Sequence, residues 1–314
     1  MRNREPEHKV RAERAPAESH GLVTIAQAIK AGEEALSNHD QEYPRLDAEY
    51  LLAHCLGCSR TQLYTRYSEV IPNSTLITYE LALARRGRGE PIQYITEVRE
   101  FWGLDFRVTP AVLIPRPETE LIVENALKIF GEPNAVASSR IVDLGSGSGC
   151  MAVALAIELT DARVIAVDLS LDALRIGCEN AERHGVRDRI DFVQSDGLTG
   201  LNSSRSTVDL IVCNPPYISQ AEFNDLPYEV RQFEPRCALT DEGDGLGFYR
   251  KFIPESAARV KPGGHLILEL STGQSDRVIS LIEKSDWDVT PPVKDLQGHD
   301  RCLVLRRRGL GEMI

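Results

Sequence analysis

From residue 140 onward, short apolar runs rich in β-branched residues alternate with stretches of helical periodicity, and few architectures accommodate that order. The apolar runs fall at 140–143, 163–167, 189–193, 208–212, 264–270, 286–290 and 301–306. The helical stretches fall at 149–159, 171–184, 246–258 and 274–284. Strand, helix and strand in succession build a mostly parallel sheet covered by helices on both faces. The pattern therefore predicts an α/β domain over residues 113–314. Ligands in such sheets collect at the carboxyl ends of the strands, so the residues just after each run are where chemistry is expected.

The chain before residue 113 reads differently. Residues 22–90 predict a small helical domain: Ile25, Ala28, Ile29, Ala35 and Leu36 share one helix face, and Ala48, Leu51, Leu52 and Cys55 share a second, with Pro44 near its start. Leu76, Leu81 and Leu83 belong to a further helix running into "RRGRG" at 85–89, read as a solvated helix end. Residues 91–112 are rich in aromatic and β-branched residues, with Gly103 where a turn fits, and predict a β-hairpin linker. "IPRPETELIVENALKIF", residues 114–130, starts a helix: Pro117 suits a first turn, and Glu118 and Glu120 sit near the positive helix end. The first 21 residues mix Arg with Glu, carry no apolar segment and predict a disordered tail.

Charge and cysteine usage narrow the function classes. Asp and Glu outnumber Lys and Arg by 47 to 36, a net charge of −11, which disfavours direct binding to nucleic acid. Seven scattered cysteines suggest free thiols in a reducing compartment, and Cys55-x-x-Cys58 has no second pair nearby to complete a structural zinc site, so no metal is expected. No apolar run approaches the roughly 20 residues that span a bilayer, so no membrane partner is expected and a cytoplasmic location is.

Two motifs carry chemistry. In "RIVDLGSGSGCMAVALAIEL", residues 140–159, a strand meets Gly145-Ser146-Gly147-Ser148-Gly149 and then a helix. Glycines there let backbone approach a ligand, and a helix N-terminus offers free N–H groups. The dinucleotide pattern G-x-G-x-x-G is broken, because the third Gly comes one residue early and Cys150 takes its place. Asp143, beside the loop, suits a cationic ligand better than a pyrophosphate. Asp168 ends the next strand, where an acid can accept hydrogen bonds from ribose hydroxyls. A nucleoside with a positive centre and no pyrophosphate fits both, and S-adenosylmethionine is such a molecule.

The second motif is "VCNPPYI", residues 212–218. The strand delivers Asn214 to its carboxyl end, and Pro215 and Pro216 stiffen the corner and remove two successive N–H donors. The Asn214 side-chain oxygen and the Pro215 carbonyl become paired acceptors, matched to an NH2 group. Tyr217 offers a flat face to a planar substrate. Two acceptors localise the lone pair of an amide nitrogen and stabilise positive charge as it attacks a methyl carbon. No metal and no nucleophilic Ser or Cys is needed.

Together "VDLGSGSG", "AVD" and "NPPY" resemble class I S-adenosylmethionine-dependent N-methyltransferases. "FWGLDFRVTPAVLIPRPETE", "NPPYI", "FEPRCALTDEGDGLGFYR" and "GGHLILEL" narrow the resemblance to the protein-(glutamine-N5) methyltransferases that modify peptide chain release factors. It covers residues 22 to 308 and implies a Rossmann-like, seven-stranded catalytic domain behind a helical N-terminal domain that recognises substrate. It implies S-adenosylmethionine at Gly145, Ser146, Gly147, Ser148, Gly149, Asp168, Gly197 and Asn214, and substrate at Asn214, Pro215, Pro216 and Tyr217. Asn214, Pro215 and Tyr217 would be catalytic. The implied substrate is the glutamine of the Gly-Gly-Gln motif in a class 1 release factor. Two positions depart from the pattern: some members carry a bulky residue where Gly197 stands, and Ser271 replaces an expected Gly. Three other readings use the same residues: an adenine-N6 or cytosine-N4 DNA methyltransferase, a binding module without catalysis, and an NAD oxidoreductase. The acidic charge and the intact NPPY weigh against the first two, and Cys150 with Asp143 against the third.

Overall fold

The computed structural model describes residues 22–39, 42–131, 139–201 and 208–309, and the N-terminal tail expected to be disordered lies outside them. The chain divides into two compact units, Met1–Arg88 and Gly89–Ile314.

The first unit is helical: α1 Ile25–Ser37, α2 Pro44–Leu56, α3 Arg60–Thr65 and α4 Asn73–Gly87. Thr24 opens α1 with a capping box, its hydroxyl accepting from the Gln27 N–H while the Gln27 side chain accepts from the Thr24 N–H. Ser59 and Gln62 do the same for α3, a helix the apolar periodicity missed. Ile25, Leu36, Leu51 and Leu52 are fully buried between the helices, each worth about 1.5–3 kcal/mol. One expected face residue, Ala35, is exposed instead. In α4 the buried positions are Leu76, Tyr79 and Ala82, a regular step of three that passes Leu81 by. Nor is "RRGRG" simply solvated: Arg86 donates to Asp47 at 2.7 Å, and both side chains are nearly buried.

The second unit opens with a helical turn, α5 Ile92–Thr96, inside the stretch expected to be hairpin throughout. Pro91 precedes it and Tyr94 and Ile95 are buried beneath it. The hairpin itself is β1 Val98–Phe101 and β2 Leu104–Arg107. Trp102 and Gly103 both take the left-handed conformation, with φ of 56° and 69°, as the tight two-residue turn between right-twisted strands requires. Pro117–Thr119 then forms a single 3₁₀ turn that leads into α6 Glu120–Phe130.

The remaining elements are β3 Arg140–Leu144, α7 Cys150–Glu158, β4 Arg163–Asp168, α8 Leu171–Arg183, β5 Ile190–Gln194 and β6 Val208–Cys213. After them come α9 Gln220–Phe223, α10 Tyr228–Phe233, α11 Arg236–Leu239, α12 Gly247–Ala257, β7 Val260–Glu269, α13 Ser275–Ile279, β8 Trp287–Val289, β9 Val293–Lys294 and β10 Asp300–Arg307. The sheet runs β5-β4-β3-β6-β7-β10-β8, with the two-residue β9 also paired to β10. β5 to β7 are mutually parallel, and β10 lies antiparallel between β7 and β8. The fold is thus the expected α/β class, with seven strands along the path and β9 as an addition. The expected strands match within about two residues, except that β7 starts at Val260, and α13 ends earlier than expected. The three short helices between β6 and α12 were not foreseen.

Both faces of the central strands are buried. Ile141, Val164, Leu210 and Val212 pack under α6 and α7, while Val142, Leu144, Ile211 and Leu268 pack on the opposite face with Tyr249 and Phe252 of α12. The order reverses at β3, since β4 lies on one side of it and β6 on the other. That reversal opens a crevice at the carboxyl ends of β3 and β6. Leu144 is in register with Cys213, so the glycine loop and Asn214 leave the sheet side by side.

Candidate active site

A cavity of about 340 Å³ occupies this crevice, within the size range of small-molecule sites. One wall is the glycine loop. Gly145, Gly147 and Gly149 have φ of 75°, 53° and 75°, a conformation that side chains rarely adopt. Gly145 and Ser146 donate to the Val167 carbonyl at 2.8 and 3.0 Å, and Gly149 to the Ser146 carbonyl at 2.8 Å, so the loop is fixed to β4. Ser146 lines the cavity, and its hydroxyl is buried and has no hydrogen-bond partner among the described residues. Cys150 and Met151, in the first turn of α7, also line the cavity.

Asp168 stands at the end of β4 on the cavity wall. Its Oδ2 accepts from the Gly147 N–H and its Oδ1 from the Ser170 N–H, both at 2.8 Å. Each oxygen keeps lone-pair capacity for a hydroxyl from the cavity.

Asp143 is placed otherwise than expected. It is fully buried, does not line the cavity, and points back to the Ala152 N–H at 3.0 Å, so it caps the start of α7. A side chain on a central strand must face one of two buried faces, and this one lies behind the loop. Burial, helped by the Asp168 charge and opposed by the Ala152 N–H, pushes its pKa up to about 7.

Gly197 also lines the cavity, with φ of 66°. A Cβ there would lie 1.8 Å from Cε1 of Phe252. The glycine therefore makes room for the Phe252 ring, and Phe248 lies against it at 4.1 Å between centroids. The two rings line the cavity. Neighbouring Asp196 is held by Lys251 Nζ at 2.7 and 2.8 Å. Ser271, the other departure, donates its N–H to Gln274, whose Nε2 in turn donates to the Tyr217 carbonyl at 2.8 Å.

Asn214 and Pro216 line the cavity from the β6 side, across β3 from Asp168, whereas Pro215 and Tyr217 are adjacent to the cavity without lining it. The Asn214 Nδ2 donates to Thr119 Oγ1 at 3.0 Å. Thr119 Oγ1 donates to Glu269 Oε2 at 2.7 Å, and the Tyr217 hydroxyl donates to Glu269 Oε1 at 3.1 Å. Glu269 ends β7 and is buried, and burial raises its pKa to about 7 against the pull of those two hydroxyls. The same burial, with the Glu269 charge beside it, raises the Tyr217 phenol. Thr119 and Glu269 were not singled out from sequence as site residues. The available signal was Glu269 itself, a lone acid closing the apolar run "LILEL".

Comparison with known proteins follows the same division. Residues 27–96 match the PrmC N-terminal domain family model, and residues 119–230 match the Methyltransferase small domain model. A release factor glutamine methyltransferase of Rhodopirellula baltica is 41% identical over 268 residues, covering 85% of this chain and 90% of that protein. Another, from Geobacter sulfurreducens, is 40% identical over 282 residues, covering 90% and 96%. Among solved structures, the catalytic domain of hMettl16 in complex with MAT2A 3'UTR hairpin 6 superposes with a TM-score of 0.53 at 17% identity, over 79% of this chain and 87% of that one. That likeness concerns the fold, a class I methyltransferase sheet. Relatives this similar over this much of the chain leave one assignment: the protein is an enzyme and belongs to the release factor glutamine methyltransferase family.

Proposed function

We propose that this enzyme methylates the side-chain amide nitrogen N5 of the glutamine in the Gly-Gly-Gln motif of class 1 peptide chain release factors, with S-adenosylmethionine as donor. The observation that carries this reading is the placing of Asn214 and Asp168 on one cavity, at the ends of the strands that flank β3. The name shared by its relatives, release factor glutamine methyltransferase, supports the protein substrate.

The residues present fit the donor. Asp168 would hold its ribose hydroxyls, the unpartnered Ser146 hydroxyl and the first turn of α7 its carboxylate, and Phe248 and Phe252 its adenine. When bound, it supplies a methyl group on a positively charged sulfur. Asn214 Oδ1 and the Pro215 carbonyl accept the two amide hydrogens, which localises the nitrogen lone pair and stabilises the charge that grows on nitrogen. Pro215 and Pro216 keep that corner stiff, so little reorganisation accompanies reaction. Tyr217, expected to offer its ring to the substrate, stands beside the cavity with its hydroxyl held by Glu269, and its part here is to fix the corner rather than to meet the substrate. The helical unit over 22–90 serves recognition of the release factor, and the reaction belongs in the cytoplasm, where release factors work.

Incubating the enzyme with a purified release factor and isotopically labelled donor, followed by peptide mass spectrometry, tests the reading. The expected product carries one labelled methyl group on the Gly-Gly-Gln glutamine. Label on DNA, or none on the release factor, would refute it.

A further inference from the structure

We infer that Thr119 and Glu269 are positioning residues: acting through the Thr119 hydroxyl, the buried Glu269 carboxylate determines which end of the Asn214 side-chain amide faces the cavity. The inference rests on the methyl-transfer reading above. The two ends of an amide are nearly equal in size and opposite in chemistry. An oxygen facing the cavity accepts from a substrate NH2, whereas an NH2 facing it opposes donor to donor. Something must therefore set the orientation of Asn214.

The hydrogen bonds do so by elimination. Ionised Glu269 has only acceptors, so Thr119 at 2.7 Å and Tyr217 at 3.1 Å must both donate to it. The single hydroxyl hydrogen of Thr119 is then used, and only lone pairs are left toward Asn214, 3.0 Å away. Only the NH2 end of the amide can meet them. Oδ1 is turned away from Thr119, and no group among the described residues donates to it.

A protonated Glu269 undoes this logic. It can donate to Thr119, whose own hydrogen is then free to point at Asn214, and the amide turns over. The groups facing Glu269 set where this happens. Burial and the Glu118 charge raise its pKa, while Thr119, Tyr217 and Arg301 of β10, itself paired with Asp295, lower it. The charges of Arg301 and Arg116 act on the Tyr217 phenol, opposing the rise that burial causes. The thiols of Cys213 and Cys302 and the phenol of Tyr249 are all raised by burial and stay neutral. With the balance at about 7, the oriented form is the alkaline one, and transfer should rise as pH passes through neutrality.

The test is single-turnover methylation of release factor at saturating donor, from about pH 5.5 to 9, with donor affinity measured by calorimetry. Thr119→Val keeps the volume and removes the hydroxyl. Its rate should fall about tenfold or more with donor affinity unchanged, and Thr119→Ser should recover most of the loss. Glu269→Gln should lose the acid limb of the parent profile. A Thr119→Val enzyme as fast as the Ser variant, or an acid limb unmoved in Glu269→Gln, would overturn the inference. If the Val variant does not fold, the Ser and Gln profiles decide by the same criteria. A readout without turnover separates this inference from the functional reading. The side-chain amide protons of Asn214, identified in NMR by their loss in Asn214→Ala, should shift with a midpoint near 7 in the parent and not in Glu269→Gln. A midpoint that survives in Glu269→Gln rejects the inference even if release factor is methylated, and one that vanishes supports it even if release factor is not.

Discussion

Arg116 Nη2 lies 2.6 Å from Glu234 Oε1, a pair 118 residues apart in sequence. Glu234 Oε2 also accepts the Ile114 N–H at 3.1 Å. The pair joins the segment carrying Val112 and Pro115 to the one carrying Pro235 and Cys237, two walls of the same cavity. The Glu234 side chain is 1% exposed and that of Arg116 31%. Arg116→Ala should therefore lower stability by about 3 kcal/mol, the low end of the roughly 3–5 for breaking a buried pair, because water can reach the vacated side. Urea unfolding measures it, and an unchanged midpoint would mean the pair holds nothing in place.

Gly197→Ala should be strongly destabilising. The left-handed backbone costs about 1–2 kcal/mol for a side chain, and the Cβ would overlap the Phe252 ring. The double variant with Phe252→Ala should lose less than the sum of the two single losses, since the overlap is gone. Additive losses would show that the ring does not occupy that space in solution.

Asp168→Ala should weaken S-adenosylmethionine binding by about 1.5–3 kcal/mol, the worth of hydrogen bonds to a charged acceptor. Calorimetry on a variant with unchanged thermal unfolding reads this directly. Equal affinity would remove Asp168 from the ribose.

Asn214→Ala should reduce kcat by roughly 10²–10³, as loss of one preorganised partner of developing charge does, with donor affinity unaltered. Asn214→Asp should fall between Ala and parent. The two oxygens of an aspartate are alike, so protonation of Glu269 has no end to turn over and the acid limb that Glu269 sets should be lost. A limb unchanged from the parent's would contradict the hydrogen-bond chain through Thr119.

Asp143 provides a pH test of stability. Its pKa is raised from 3.8 to about 7 in the fold, so the folded protein holds a proton that the unfolded chain releases at lower pH. Stability from this group is full below about 4 and is lost as pH rises toward about 7. Asp143→Asn keeps a side-chain oxygen that can accept from the Ala152 N–H, and it does not titrate. Relative to parent, that variant should gain stability as pH rises from about 5 to about 8, measured by urea midpoints across that range. A change in the opposite direction would mean that Asp143 is ionised in the fold.

The succession of strands and helices and the place of both motifs were legible because period and turn chemistry are local. β3, β4 and β6 end where their apolar runs end, and Gly145 and Asn214 follow at once. Asp143 was misplaced because sequence tells that a residue sits on a strand, not which buried face it takes when both faces are covered. Leu76, Leu81 and Leu83 do share α4, but its buried positions are Leu76, Tyr79 and Ala82, because membership of a helix does not say which side of it packs. The short helices between β6 and α12 escaped because four to six residues carry too little periodicity to register. Thr119 and Glu269 escaped because their meaning is tertiary: neither has a chemical neighbour within its own segment that explains it.

The chain of hydrogen bonds through Asn214 has a further consequence during synthesis. Thr119 and Asn214 are separated by 95 positions and Thr119 and Glu269 by 150. The acceptor that closes the chain arrives only at the last residue of β7, which must first pair with β6 on one side and β10 on the other. A nascent chain released from the ribosome before that point has its glycine loop complete but lacks the carboxylate that accepts from Thr119. Long-range pairings of this kind form late and slowly, so the hydrogen-bond chain through Asn214 is a property of the finished sheet and of no fragment of it.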